Sequence, residues 1–241
     1  MSAIVATQLS KAYGDAVAVD HLDLTIEQGE LFALLGVNGA GKSTTVKMLS
    51  CLIKPTSGDA LVLGNSIVSN PQAVKQKINI SPQETAVAPN LSVRENLELI
   101  AGIYGQDRKT AKKNAFRMAE TFGLEQELNK KAKRLSGGMQ RRLSIAMALI
   151  SDPELLFLDE PTLGLDVLAR RELWASIQAL KGRVTIILTT HYMDEVEHLS
   201  DRVGIMASGK IAAVGTVAEL TARSATSKLE DAFIALSGGM L

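Results

Sequence analysis

The sequence predicts an α/β fold: a parallel sheet buried on both faces, an N-terminal antiparallel β layer and an inserted helical subdomain. Three observations carry this. Continuous apolar runs at 31–35, 155–158 and 184–188 have the texture of strands covered on both sides. Leu22, Leu24 and Ile26 alternate with Asp23, Thr25 and Glu27, the period-two pattern of a half-exposed sheet. Between about 84 and 151 apolar positions recur instead at three and four, the helical period.

Residues 3–28 read as short strands of the antiparallel layer. The run 31–35 ends in Gly36 and leads into a helix from about 42 to 52, with Cys51 as a small buried side chain inside it. In the helical insert, Ser92 and Glu95 form a capping-box pattern ahead of Leu97, Ile100 and Ala101. Ala111, Ala115, Met118, Ala119 and Phe122 mark a second helix, and Leu143, Ala146, Met147 and Ile150 a third. The stretch 203–214 reads as a hairpin turning at Ser208-Gly209, followed by an amphipathic tail over 229–236. The expected organisation is a core of 1–84 and 152–220, a helical subdomain of 85–151 and a tail of 221–241.

The chain of 241 residues is 46% hydrophobic and 22% charged, which suits a folded core and excludes a disordered or fibrous protein. Lys plus Arg and Asp plus Glu both number 26, so the basic footprint of a nucleic-acid binder is missing and no nucleic-acid partner is expected. The single cysteine, Cys51, forbids an internal disulfide and suits a reducing compartment. The longest apolar run is about seven residues, short of the roughly 20 that span a bilayer, and the first ten residues lack a signal-peptide pattern. A membrane role would therefore come through a partner.

The sharpest chemical signal is the segment Gly36-Val37-Asn38-Gly39-Ala40-Gly41-Lys42-Ser43, placed between a buried strand and a helix start. Its glycines let the backbone wrap a phosphate, its N–H groups point inward, and the helix N-terminus adds a favourable dipole. Lys42 would neutralise β- and γ-phosphates, and Ser43 would coordinate Mg²⁺. This makes the core a P-loop NTPase core. The run 155–158 then delivers Asp159 and Glu160 at a strand's C-terminal end, where α/β sheets hold their ligands. Asp159 would hold hydrated Mg²⁺, and Glu160 would polarise the attacking water. Leu135-Ser136-Gly137-Gly138-Met139 precedes an apolar-periodic helix and forms a second anion cradle, so one nucleotide is expected to be gripped from two sides.

In this order the motifs resemble the ATP-binding subunit of an ABC transporter, over about residues 3–214. The resemblance implies that Tyr13 stacks on adenine, that Gly36, Asn38, Gly39, Ala40, Gly41, Lys42, Ser43 and Thr44 form the Walker A loop, and that Gln83 is the Q-loop ligand of Mg²⁺. It implies that Ser136, Gly137 and Gly138 form the signature, that Asp166 belongs to the D-loop region, and that His191 is the switch histidine, catalytic together with Glu160 and Lys42. His191 follows a predicted strand at the same sheet edge, where a γ-phosphate contact is physically reasonable. Two such subunits, identical or different, would pack head to tail around two ATP–Mg²⁺, with the signature of one covering the ATP on Lys42 of the other. Separate transmembrane permease subunits would then hold the pair at the inner, cytoplasmic face of the cell membrane.

Met139 stands where the family often has Gln, and Val167 where Pro is frequent; neither position supplies a catalytic group. The form LSGGMQRR, the run 189–195 and the tail 229–233 resemble the ABC-2 exporter branch, so the expected function is ATP-driven export. The alternative is a non-transport ABC ATPase of translation or DNA repair, which usually carries two cassettes or a long coiled-coil insert. A GTPase is disfavoured because Asn129-Lys130-Lys131-Ala132 lacks the Asp of a guanine motif. Trp174 reads as core, His21 and His198 as surface residues, and the lysines at 109, 112, 113 and 130–133 as solvated faces.

Overall fold

A computed structural model describes residues 1–238; residues 239–241, the end of the predicted tail, lie outside the described residues. In chain order the elements are β1 (Ser2–Tyr13), β2 (Ala16–Glu27), β3 (Leu31–Leu35), α1 (Lys42–Leu49), β4 (Ser57–Val62), β5 (Asn65–Ser66), α2 (Pro71–Lys75), β6 (Ile78–Ser81), α3 (Val93–Ile103), α4 (Arg108–Thr121) and α5 (Gly137–Leu149). They continue with β7 (Leu155–Asp159), α6 (Val167–Gln178), β8 (Thr185–Thr190), α7 (Met193–Leu199), β9 (Arg202–Ala207), β10 (Lys210–Gly215), α8 (Val217–Arg223) and α9 (Leu229–Leu236).

The strands make two sheets. The smaller is antiparallel with order β2-β1-β4-β5, and the larger has order β10-β9-β3-β8-β7-β6 and is parallel except for β10. The continuous apolar runs follow from this arrangement. Phe32, Leu34, Leu155 and Phe157 face the small sheet and pack with Ile4, Leu9, Leu22 and Ile26. Leu156 and Leu158 face the other way, into a core with Leu97, Phe122, Leu143 and Ala146 of the helical segment. Ala33 and Leu35 meet Val196, Leu220, Leu229 and Phe233. A strand with a core on each face has no place for alternating polar side chains.

The α/β class, the antiparallel layer and the inserted helices are as expected, and four local readings change. Residues 3–28 are two strands of 12 residues each rather than several short ones, their ladder absorbing register shifts along the way. The first helix stops at Leu49: Cys51 takes φ 58, and the N–H groups of Leu52 and Ile53 turn back to the Lys47 carbonyl. Cys51 thus terminates the helix and is half-buried. The left-handed position that usually carries Gly or Asn is here a Cys, which hid the stop from the sequence. The segment 57–81, with β4, β5, α2 and β6, was not anticipated, nor was α8, although Thr216 and Glu219 form its capping box.

The predicted capping box at Ser92 is present, with Glu95 N donating to Ser92 Oγ at 3.2 Å and Ser92 N to Glu95 Oε2 at 2.7 Å. Buried Asn96 then ties the preceding loop to α3, donating to the carbonyls of Ala88, Leu91 and Ser92 and accepting from Ala88 N. Among the described residues no helix is long and apolar enough to cross a membrane.

Candidate functional site

The loop after β3 is pinned from several sides. Gly36 N donates to Thr190 O at 3.2 Å, Ala40 N to Val37 O at 3.2 Å, and Gly209 N to Ala40 O at 3.0 Å. Two glycines are sterically required. A Cβ on Gly36 would lie 2.5 Å from Met206 O, and one on Gly41, which caps α1 at φ 104, would lie 2.5 Å from Ala18 O. The loop therefore delivers the N-terminus of α1, with its free N–H groups and dipole, to one point beyond the sheet.

Three adjacent strands, β3, β7 and β8, end at that point and deliver different chemistry. Lys42 is buried; its Nζ donates to Gly36 O at 2.8 Å and Val37 O at 3.2 Å and lies 3.4 Å from Glu160 Oε1. Glu160 Oε2 lies 2.6 Å from His191 Nδ1, a close electrostatic contact without hydrogen-bond alignment. The carboxylate thus sits between a lysine and a histidine. Glu160 adopts φ 48, unusual for a residue with a Cβ, and its N–H donates to both Thr189 O (3.1 Å) and Thr189 Oγ1 (3.0 Å). Next to it, Asp159 Oδ1 accepts from Ser43 Oγ at 3.1 Å and from Thr189 Oγ1 at 2.5 Å.

Lys42, Ser43, Glu160 and His191 line a cleft of about 360 Å³ that also takes in Asn38, Gly39, Gly41, Thr44 and Gln83, with Asp159 behind Ser43. Ala18 and Leu163 line it as well and were missed from sequence, being apolar residues without a chemical signature. Thr189 was missed as the partner of the Asp159 carboxylate and of the Glu160 N–H. Its signal was present, a Thr-Thr pair at the buried end of an apolar strand directly before His191.

Five predicted site residues stand elsewhere. Tyr13 is exposed at the end of β1, opposite Ala16, with Lys11 Nζ 5.2 Å from its ring centre, and it is not part of the cleft wall. Ser136, Gly137 and Gly138 form the N-terminus of α5, where Ser136 Oγ accepts from Met139 N at 3.3 Å. A Cβ on Gly138 would lie 2.8 Å from the Ala169 Cβ, so this glycine lets α5 pack directly on α6. Asp166 caps α6, accepting from Ala169 N at 2.9 Å. The second anion cradle and Asp166 therefore form one group, and the cleft around Lys42 another.

Beyond these groups, Trp174 is buried and donates from Nε1 to Glu195 Oε1 at 3.2 Å, and burial pushes the Glu195 carboxyl above the usual range. His198 is on the surface but stacks on Trp174 with ring centres 4.8 Å apart.

The family model described as ABC transporter matches residues 19–163. The chain is 42% identical over 240 residues to the probable multidrug ABC transporter ATP-binding protein YbhF of Escherichia coli (strain K12), covering 97% of this chain and 41% of the relative. It is 40% identical over 219 residues to the daunorubicin/doxorubicin resistance ATP-binding protein DrrA of Streptomyces peucetius, covering 90% of this chain and 66% of that one. It thus spans about two fifths of the first relative's length and just under two thirds of the second's. Among solved structures it resembles the dimeric ATP-binding cassette MJ0796 in a post-hydrolysis state bound to ADP and Pi, with a TM-score of 0.79 and 25% identity over 89% of this chain and 98% of that one. The matched segment runs from β2 through the phosphate loop to the carboxylates that end β7, and the fold around it agrees: the chain belongs to the ABC transporter family.

Proposed function

We propose that this chain hydrolyses ATP as one half of a dimer of ATP-binding subunits, identical or different, and that closure of the dimer drives export through a separate membrane permease. The observation that carries the reading is the convergence of Lys42, Ser43, Asp159, Glu160 and His191 at the ends of three neighbouring strands. In this reading the backbone of Gly36, Asn38, Gly39, Ala40, Gly41 and Thr44 wraps the phosphates, and Tyr13 stacks on adenine. Ser43 Oγ and the Asp159 carboxylate, adjacent hard oxygen donors, fit Mg²⁺, with Gln83 beside them. Bound there, Mg²⁺ would supply positive charge to the β- and γ-phosphates.

Lys42 exchanges its contact with Glu160 for the phosphates, which frees the carboxylate to take a proton from water as the water oxygen bonds to the γ-phosphorus. The bond from that phosphorus to the β,γ-bridging oxygen breaks, giving ADP and phosphate. His191 holds Glu160 and the γ-phosphate in register. Ser136, Gly137 and Gly138 are too far from their own cleft to line it and serve the ATP of the partner subunit, with Asp166 at the same seam.

The division into a core of 1–84 and 152–220, a helical subdomain of 85–151 and a tail of 221–241 belongs to this reading. On α3 and just beyond it, Leu99, Ile103 and Tyr104 are 48%, 69% and 46% exposed, an apolar stripe suited to a membrane subunit. Docking there would place the chain at the inner face of the membrane. Relatives with multidrug and drug-resistance names favour export.

The test is to purify a tagged Glu160→Gln variant from membranes in mild detergent with ATP and Mg²⁺. Two copies with a polytopic membrane subunit are expected; a dimer alone, or one bound to ribosomes or DNA, would overturn the transport assignment. Ser136→Arg is expected to abolish ATP-dependent dimerisation in size-exclusion chromatography while the monomer still binds ATP. A surviving dimer would refute the two-sided grip.

A further inference from the structure

Arg141 is a charge in an apolar phase. On α5 it follows Ser136 by five positions and lies on the face that buries Gly138, Ile145 and Ala148, and it is 3% exposed. Its hydrogen bonds go to backbone carbonyls of two separate segments, 82–83 and 159–161. Nε donates to Pro161 O at 2.9 Å, Nη2 to Asp159 O at 2.9 Å, and Nη1 to Pro82 O and to Gln83 O at 3.3 Å. Asp159 and Pro161 flank Glu160, so the guanidinium grips the peptide on both sides of the residue held at φ 48. Burial lowers the Arg141 pKa to about 10, which leaves it charged at neutral pH. A planar fork with five donors can reach all these carbonyls at once; an ammonium on a flexible stem cannot.

We propose that Arg141 is a positioning residue for hydrolysis: it holds Glu160 in its left-handed conformation and ties Glu160 and Gln83 to the helix that carries Ser136. Through this tie, engagement of Ser136 by the partner's ATP sets the geometry around the chain's own ATP. The second statement rests on the dimer proposed above; the first needs only the chain itself. The tie runs from one side chain on α5 to main-chain carbonyls, so it transmits displacement of α5 directly to the catalytic backbone.

The experiment compares Arg141→Gln and Arg141→Lys with the parent in the full chain. The readouts are kcat and KM for ATP, equilibrium binding of a fluorescent ATP analogue to the monomer, and melting temperature. Binding and KM are expected to stay within about threefold while kcat falls by ~10²-fold for Gln, as a small misplacement of a catalytic group does, with only partial recovery for Lys. Adding Arg141→Lys to Glu160→Gln should change the residual turnover by less than about twofold, because both act through one carboxylate. Unchanged kcat in a folded variant would overturn the proposal. So would costs that multiply in the double variant, or binding and kcat falling together with melting temperature. Should Arg141→Gln fail to fold, Arg141→Lys carries the same comparison. If parent specific activity is independent of protein concentration while Arg141→Lys still loses kcat, the positioning role stands and the link between two ATP sites is overturned.

Discussion

Glu160→Gln is expected to keep ATP binding and to lower steady-state turnover by ~10²–10⁴-fold, the range for removing a general base. The substitution preserves shape and removes the carboxylate that faces the cleft just after β7 and is assigned the proton. Glu160 lies 3.4 Å from Lys42 Nζ and 2.6 Å from His191 Nδ1, and a neutral amide cannot pair with the lysine charge. With the carboxylate gone, Lys42 no longer has to leave an ion pair to meet phosphate, so affinity should hold or rise. Steady-state phosphate release and nucleotide titration on the same preparation separate the two effects. Turnover equal to the parent's would remove Glu160 from its role.

Lys42→Ala should act in the opposite sense, weakening ATP binding by ~10–10²-fold through the loss of charge-assisted bonds to phosphate. The loss has a second component in the chain itself. Lys42 Nζ also bonds the carbonyls of Gly36 and Val37, so its removal unties the loop whose shape the phosphates need. It also leaves the Glu160 carboxylate buried without its lysine partner, beside His191. Equilibrium titration with a fluorescent nucleotide at fixed Mg²⁺ checks this. An unaltered affinity would show that the phosphates are held elsewhere.

The parts of this architecture that were legible in the sequence are those in which one local pattern has one physical meaning. The run 31–35 could be read because both its faces are buried, and the segment 36–43 because few other backbones need glycine at those positions. Acids after a strand are common, and Asp159 and Glu160 could be read only because they stand at the strand's ligand-holding end in a chain that also carries the phosphate loop. What escaped depends on neighbours far away in sequence. β6 has two half-buried positions and looks unremarkable until it is paired with β7. The stop at Cys51 uses a residue that rarely adopts φ > 0. Arg141 was visible as the first basic residue after the signature, but its meaning lies in carbonyls 18 to 59 positions away. Tyr13 shows the converse: its expected contact with adenine comes from its place in a pattern alone, and the fold leaves it at an exposed hairpin end.

The order of the large sheet also governs how the chain is made. β3, the strand that presents the phosphate loop, lies between β8 and β9, with Leu31 paired to Ile186 and Phe32 to Arg202. During synthesis its two edges stay open until about the last quarter of the chain has emerged, and such long-range pairing is slow to form. The hairpin of β1 and β2 has no such delay. A chain that ended with β7 would carry every residue of the phosphate loop and Asp159 while β3 lacked both of its neighbours, so the pairing of β8 and β9 makes nucleotide recognition conditional on a finished core.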